Sequence, residues 1–213
     1  MKINTSKTKV QCFNFSKKYS FLPELTIANQ QLEVVHETRL LGVIIRDDCR
    51  WSSHVKYLVT RAMQAMRFLR RLKNLGASSE VMVDVYKLYI RQGLEISAPL
   101  WTGSLTKGEC QALEKCLRLA TSLILSSSPH LPYQRRLQLP SLDGHRWEDT
   151  YRYAMGMFRD KRYAHLFPLK TSLKTRSSEI VETPTSFTRR FRTSSIPTFI
   201  QIINNKLNKA KLS

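Results

Sequence analysis

Few residues in this chain are spaced to do chemistry, and Asp47-Asp48 is the first pair to weigh. Two carboxylates at the end of an apolar run can hold Mg²⁺ ions that bridge nucleotide phosphates. The same pair is also an ordinary polar turn that ends a strand. Cys12, Cys49, Cys110 and Cys116 are scattered, with no C-x-x-C and no histidine at finger spacing, so no zinc site is expected. Cys110 and Cys116 stand six apart in a predicted helix, too far round it to share a metal. His54, His130 and His145 are isolated and suggest neither a Cys–His nor a Ser–His–Asp arrangement. Capping or surface roles are expected for them, and no catalytic or metal-binding residue is assigned.

Binding chemistry is better represented. Arg61, Arg67, Arg70 and Arg71, with Lys73, fill much of one long helical pattern, and they lack acidic partners nearby. Further on, Arg189-Arg190-Phe191-Arg192 interleaves a ring with guanidiniums, which suits single-stranded nucleic acid through stacking and charge. A localisation signal or a plain tail fits that cluster equally. The 213 residues carry 35 Lys and Arg against 16 Asp and Glu, a net charge of +19, which points to a polyanionic partner. Nucleic acid comes ahead of anionic membrane, since no long apolar span exists. The polar first ten residues predict no secretory signal, and the scattered cysteines fit free thiols in a reducing, intracellular compartment, nucleus or cytoplasm.

The elements that must position these residues follow from periodicity. Residues 8–15 are β-prone, and 25–34 read as a small hairpin around a polar turn. Residues 40–45 form a short β-branched run that reads as one buried strand completing a compact antiparallel unit. Gly42 within it would let another backbone or a ligand approach closely. Its orphaned edges should be sticky. From Ser53 to about Asn74 apolar residues recur at three and four, with Gly76 as the stop. A second helix over about 79–91 carries Val81, Val85, Leu88 and the tyrosines Tyr86 and Tyr89, and Pro99 should break the chain near Trp101. Thr106-Lys107-Gly108-Glu109 has the capping-box form and opens a third helix with Leu113, Leu117, Ala120 and Ile124 inward. After a loop at 126–132, Gln134-Arg135-Arg136-Leu137 leads to a fourth helix. It is capped near Ser141 or Asp143 and runs to about Lys161. Residues 169–198 read as a solvated linker or arm before a last short helix.

Residues 39–51, RLLGVIIRDDCRW, carry a wider resemblance. The order Leu41-Gly42-Val43, Trp51, His54, then a helix ending in Leu-Arg-Arg-Leu resembles the palm-to-thumb junction of non-LTR (LINE-like, jockey-type) retrotransposon reverse transcriptases. Upstream, residues 4–10 are similar to the N-x-x-K-T segment that follows the family's catalytic hairpin. Downstream, LEISAPLW at 94–101 resembles a segment of its thumb. The resemblance implies a primer-grip-like segment at Leu41, Gly42 and Val43, and a thumb helix lying along the template–primer duplex with its arginines on phosphates. It also implies that Lys7 stands where the family has a lysine beside the incoming nucleotide. That lysine has no reaction to serve without the aspartates, and Lys7 is read as vestigial. The family's aspartates sit in a hairpin turn behind an aromatic residue, whereas Arg46 precedes Asp47-Asp48, and nothing before Lys7 could hold that pair.

The expected fold is therefore α+β and mostly α. It would comprise a small antiparallel palm remnant (1–51), a helical thumb-like bundle (52–128) and a basic C-terminal extension (129–213). The expected function is that of a piece of an RNA-directed DNA polymerase. It would grip an RNA template and RNA–DNA hybrid or DNA, with the missing upstream portion as a further partner and no membrane role. No cofactor is expected in this chain, Mg²⁺ belonging to the complete polymerase. The competing class is a non-catalytic structural or interaction protein derived from a transposon.

Overall fold

The computed structural model describes residues 3–14, 24–125, 139–170, 180–185 and 188–211. The expected 126–132 loop with His130, the Gln134-Arg135-Arg136-Leu137 segment, residue 15 and much of the expected linker lie outside the described residues. The fold is α+β and mostly α. It divides into two compact units, Met1–Tyr57 and Leu58–Ser213.

Among the described residues the first unit holds three two-stranded pairings. Strand β1 (Lys9–Val10) runs parallel to β4 (Glu33–Val34), so the expected all-antiparallel unit is mixed. Strands β2 (Thr26–Ile27) and β3 (Gln30–Gln31) form a hairpin tighter than expected, since it turns through Ala28 and Asn29 alone, both at positive φ, and its second strand is Gln30–Gln31 rather than the expected 32–34. The run 40–45 is not one strand. It splits into β5 (Glu37–Leu40) and β6 (Val43–Arg46), paired antiparallel with Leu40 opposite Val43. Leu41 (φ 48°) and Gly42 (φ 90°) make the two-residue turn between them. A tight hairpin needs both central residues in the left-handed region, so Gly42 serves the turn rather than a close approach. The Gln11 amide donates to the carbonyls of Ile45 (2.9 Å) and His36 (3.3 Å), covering with a side chain what would be bare strand edge.

Helix α1 (Ser52–Asn74) begins in the first unit and continues into the second. Its buried residues in the second unit are Leu58, Ala62, Met66 and Leu69, as the spacing predicts. Next come α2 (Ser79–Val85), a π turn (Tyr86–Arg91) and α3 (Gln92–Glu95). The face they bury is Met82, Tyr86, Ile90 and Leu94, whereas Val81, Leu88 and Tyr89 are exposed. A step of four overshoots a turn of about 3.6 residues, and the wider π turn takes up the drift and keeps all four on one face. Ser97 in the left-handed region (φ 52°) reverses the chain two residues before Pro99. Helix α4 (Ala98–Trp101) then seats Trp101, fully buried, with its indole N–H on the Ile96 carbonyl at 3.0 Å.

Helix α5 (Lys107–Leu125) has the predicted capping box. The Thr106 N–H donates to Glu109 Oε2 (2.8 Å) and the Glu109 N–H to Thr106 Oγ1 (3.3 Å). Leu113, Leu117, Ala120 and Ile124 are buried as predicted. Helix α6 (Leu142–Arg159) is capped twice, since the Gly144 N–H donates to Ser141 Oγ (3.0 Å) and the Asp143 N–H to the Glu114 carboxylate on α5 (2.8 Å).

The C-terminal part is more built than a solvated arm. Val181 is fully buried and bridges to Leu169, and Asn204 accepts from the Ile180 and Val181 N–H groups and donates to the Val181 carbonyl. One side chain thus satisfies three backbone groups that burial would otherwise leave unpaired. Helices α7 (Arg189–Arg192) and α8 (Ser195–Lys211) complete the chain, and Phe199, Ile200 and Ile203 join Ala154, Phe167 and Val181 in one core. Ser104 Oγ donates to the Thr193 carbonyl (2.7 Å) and Ser195 Oγ to that of Leu100 (2.8 Å), pinning the start of α8 to the turn after α4. A Cβ on Gly103 would lie 2.4 Å from Thr198 Oγ1, so the close packing there requires glycine.

Candidate functional site

The residues singled out by the sequence fall into separate places. In the first unit, Lys7 is exposed at the end of a 3₁₀ turn (Thr5–Lys7). Leu41 and Gly42 form the hairpin tip, Leu41 being 90% exposed, while Val43 is buried behind them. A large apolar residue held outward in the left-handed region costs on the order of 1 kcal/mol. Asp48 pairs with Arg46 (3.1 Å) and Arg50 (3.6 Å), and Asp47 meets the His36 ring nitrogen Nδ1 at 2.8 Å. Burial raises Asp48, but the Arg46 hydrogen bond and its neighbours more than reverse this, and the carboxyl titrates below its ordinary range. The pair behaves as a strand-ending polar turn.

His54 is not a surface or capping residue. It is fully buried, and its Nδ1 accepts the Ile44 N–H at 3.3 Å, joining the first turn of α1 to β6. Trp51 meets its ring edge-on at 6.1 Å, Tyr57 stacks at 6.5 Å, and Arg39 lies over Tyr57 at 4.9 Å. The W-x-x-H spacing therefore continues to Tyr57, and its work is to fasten the hairpin to the helix. Burial lowers the His54 pKa to about 4, because the charged ring would lose both hydration and its acceptor role.

In the second unit α1 presents its basic face. Arg67, Arg70 and Arg71 are exposed at i, i+3 and i+4 and form one cluster. Arg61, also exposed, lies six residues earlier and so about 120° round the helix from Arg67, which places it on the flank rather than in the cluster. Phe68, 51% exposed, stands among the arginines. The helix has no Asp or Glu, and the sequence has none between Asp48 and Glu80. Among the described residues no carboxylate pairs with Arg67, Arg70 or Arg71. Lys73 differs, for its Nζ donates to the Leu123 carbonyl at 2.7 Å, in the last turn of α5. Arg189, Arg190 and Arg192, with Phe191 45% exposed, sit on one helical turn capped by Thr188, ahead of α8.

A second polar constellation in this unit escaped the sequence. His145 is not isolated, because its Nδ1 lies 3.0 Å from Glu95 Oε2 and 3.4 Å from Asp149 Oδ2. Arg91 Nε contacts both Glu95 oxygens, at 3.1 and 3.3 Å, and Arg152 reaches Asp149 Oδ1 at 3.4 Å. Beside it, buried Arg146 pairs with Asp143 (3.0 Å) and lies 5.7 Å over the Trp101 ring. The H-x-x-x-D spacing at 145–149 was the available signal, one helical turn on one face, but Glu95 is fifty residues away and only the fold brings it in. A cleft of about 540 Å³ opens alongside, lined by residues including Glu95, Ser97, Asp149, Arg152 and Tyr153.

All four cysteines are free, and burial raises the Cys110 and Cys116 thiols. Among the described residues no helix is long and apolar enough to cross a membrane. Compared with protein-family models, curated proteins and solved structures, the chain matches none of them.

Proposed function

We propose that this chain is the C-terminal palm-edge and thumb portion of a non-LTR retrotransposon RNA-directed DNA polymerase, gripping template–primer nucleic acid rather than carrying out the chemistry. The observation that carries the reading is the face of α1, where Arg67, Arg70 and Arg71 project from a helix that has no carboxylate to neutralise them. Such a face suits a phosphate backbone, with affinity that is salt-dependent and largely indifferent to sequence. Phe68 among the arginines offers a surface for sugar or base contact. The hairpin tip at Leu41 and Gly42 resembles a primer grip in kind, an exposed turn offering backbone. Asp47 and Asp48, tied to Arg46, Arg50 and His36, are poorly placed to serve as metal ligands. No residue here is given a catalytic role, Lys7 included.

Binding of an RNA–DNA hybrid by the wild-type chain and by the Arg67→Gln, Arg70→Gln, Arg71→Gln triple variant tests the reading. Gln is nearly as good a helix former, so circular dichroism should be unchanged. Affinity should fall to a similar degree for unrelated sequences, and the slope of log K against log salt should drop by up to about one for each phosphate left unneutralised. A triple variant with wild-type affinity and slope would make this face merely solvated and leave the alternative, a structural or interaction protein of transposon origin.

A further inference from the structure

We propose that Glu95, His145 and Asp149 form a binding site for a divalent cation of the zinc class, with α3 supplying one ligand and α6 the other two. An imidazole nitrogen and two carboxylate oxygens are a donor set that zinc accepts. Metal–ligand bonds of about 2.0–2.2 Å put the donors of a tetrahedral site about 3.3 Å apart. His145 Nδ1 lies 3.0 Å from Glu95 Oε2 and 3.4 Å from Asp149 Oδ2, and the three donor atoms all fall within 4.8 Å of one another. The Glu95–Asp149 separation, within 4.8 Å, would close toward about 3.3 Å to complete one face of the tetrahedron.

The surroundings set this trio apart from a chance meeting of charges. Each carboxylate is also held by an arginine. Glu95 Oε2 and Asp149 Oδ2 converge on the imidazole, while Arg91 Nε reaches both Glu95 oxygens (3.1 Å to Oε1, 3.3 Å to Oε2) and Arg152 holds Asp149 Oδ1 (3.4 Å). Outer partners of this kind fix the orientation of metal ligands. His145 Nδ1 is itself buried and makes no hydrogen bond, being out of line with both carboxylates despite its closeness to them. A nitrogen so placed is available to a metal. The Glu95 side chain is more than nine-tenths buried. Both Glu95 and Asp149 also line the cleft of about 540 Å³, which leaves a fourth position open to water. Zinc there would cross-link α3 to α6.

The full chain, freed of any affinity tag and stripped with EDTA, would be titrated with Zn²⁺ by calorimetry and with Co²⁺ by visible absorption. One equivalent of each should bind, the cobalt spectrum showing d–d bands without thiolate charge transfer, and Zn²⁺ should raise the melting temperature. His145→Gln and Asp149→Asn should each weaken binding more than tenfold and abolish the thermal shift. Arg152→Gln, an exposed change that keeps all three ligands and should fold whatever the other variants do, should weaken binding about tenfold through loss of carboxylate orientation. The proposal fails if the wild-type chain takes up no Zn²⁺, if its affinity is indifferent to these changes, or if a thiolate band places the ion on a cysteine.

Discussion

Two sets of arginines in the same unit have opposite fates. On α1, Arg67, Arg70 and Arg71 face outward with no carboxylate paired to them among the described residues, whereas Arg91 and Arg146 each meet one and Arg152 meets two. Arg146 is fully buried and Arg91 nearly so. Composition counts all six alike toward +19. The difference lies in what stands a helical turn away: Glu95 follows Arg91 by four residues and Asp143 precedes Arg146 by three, while the neighbours of Arg67 are Met63, Gln64, Arg70 and Arg71. A cation with a local carboxylate can be drawn into the core as a pair. One without must stay in water or find a partner on another molecule.

Removing a member of each set should break the comparison most visibly. Arg91→Ala leaves Glu95 buried without its main counterion and should cost about 3–5 kcal/mol at neutral pH. Arg71→Ala, on the open face, should stay within about 0.5 kcal/mol. Urea denaturation of both variants measures the contrast. If Glu95 takes up a proton in the variant, the loss should grow as pH rises from 5 to 8, because the unfolded carboxyl has already given up the proton that the folded one keeps. A mild loss that is flat over this range would mean that Glu95 is neutralised without Arg91.

The next effect belongs to the first turn of α1, where His54 is the buried counterpart of the exposed cations further along the same helix. Its pKa falls from 6.5 to about 4 on folding. The unfolded chain therefore takes up a proton below about pH 6.5, and the folded chain not until about pH 4. Stability from this residue is complete above pH 6.5, declines as pH drops toward 4 and levels off below. The loss is at most about 3 kcal/mol. The Ile44 amide, which donates to His54 Nδ1, is the direct reporter. Its hydrogen-exchange protection, corrected for intrinsic rate, should fall on the order of 100-fold between pH 7 and pH 4. In His54→Gln that decline should vanish, and an identical decline in the variant would assign it to other groups.

What the sequence revealed and what it hid follow one physical line. Local signals were legible: the capping box of Thr106 and Glu109, the Ser141 cap, the bounds of α1 and the inward face of α5 all depend on residues within a turn or two. The π turn misleads, because a period of 3.6 chooses Val81 and Leu88 where a wider turn buries Met82 and Ile90. Leu41 reads as strand because a bulky residue rarely accepts positive φ. Asn204 clamping Val181, and Glu95 meeting His145, join residues 23 and 50 positions apart, and nothing local announces either. Of the candidate site, the basic face of α1 was legible as a pattern, but the departure of Lys73 from it was not, since its partner is Leu123 on another helix.

Lys73 gives the smallest and sharpest version of the comparison. It stands three residues beyond Arg70 on the same helix, and charge alone would assign both to one phosphate-binding face. The Lys73 ammonium instead donates to the Leu123 carbonyl at 2.7 Å, at the end of α5 where backbone acceptors have no helical partner and the dipole favours a cation. Replacing it with Gln removes a charge-assisted bond and should lower stability by about 1–2 kcal/mol. Arg70→Gln should leave stability within about 0.5 kcal/mol. Nucleic-acid binding should show the reverse order: Arg70→Gln lowers affinity and the salt slope, whereas Lys73→Gln, measured well below its melting temperature, keeps the wild-type slope. Equal slopes for the two variants would mean that the α1 face attracts polyanions through its summed field alone. The division between cations that hold the fold and cations that bind would then not extend to this helix.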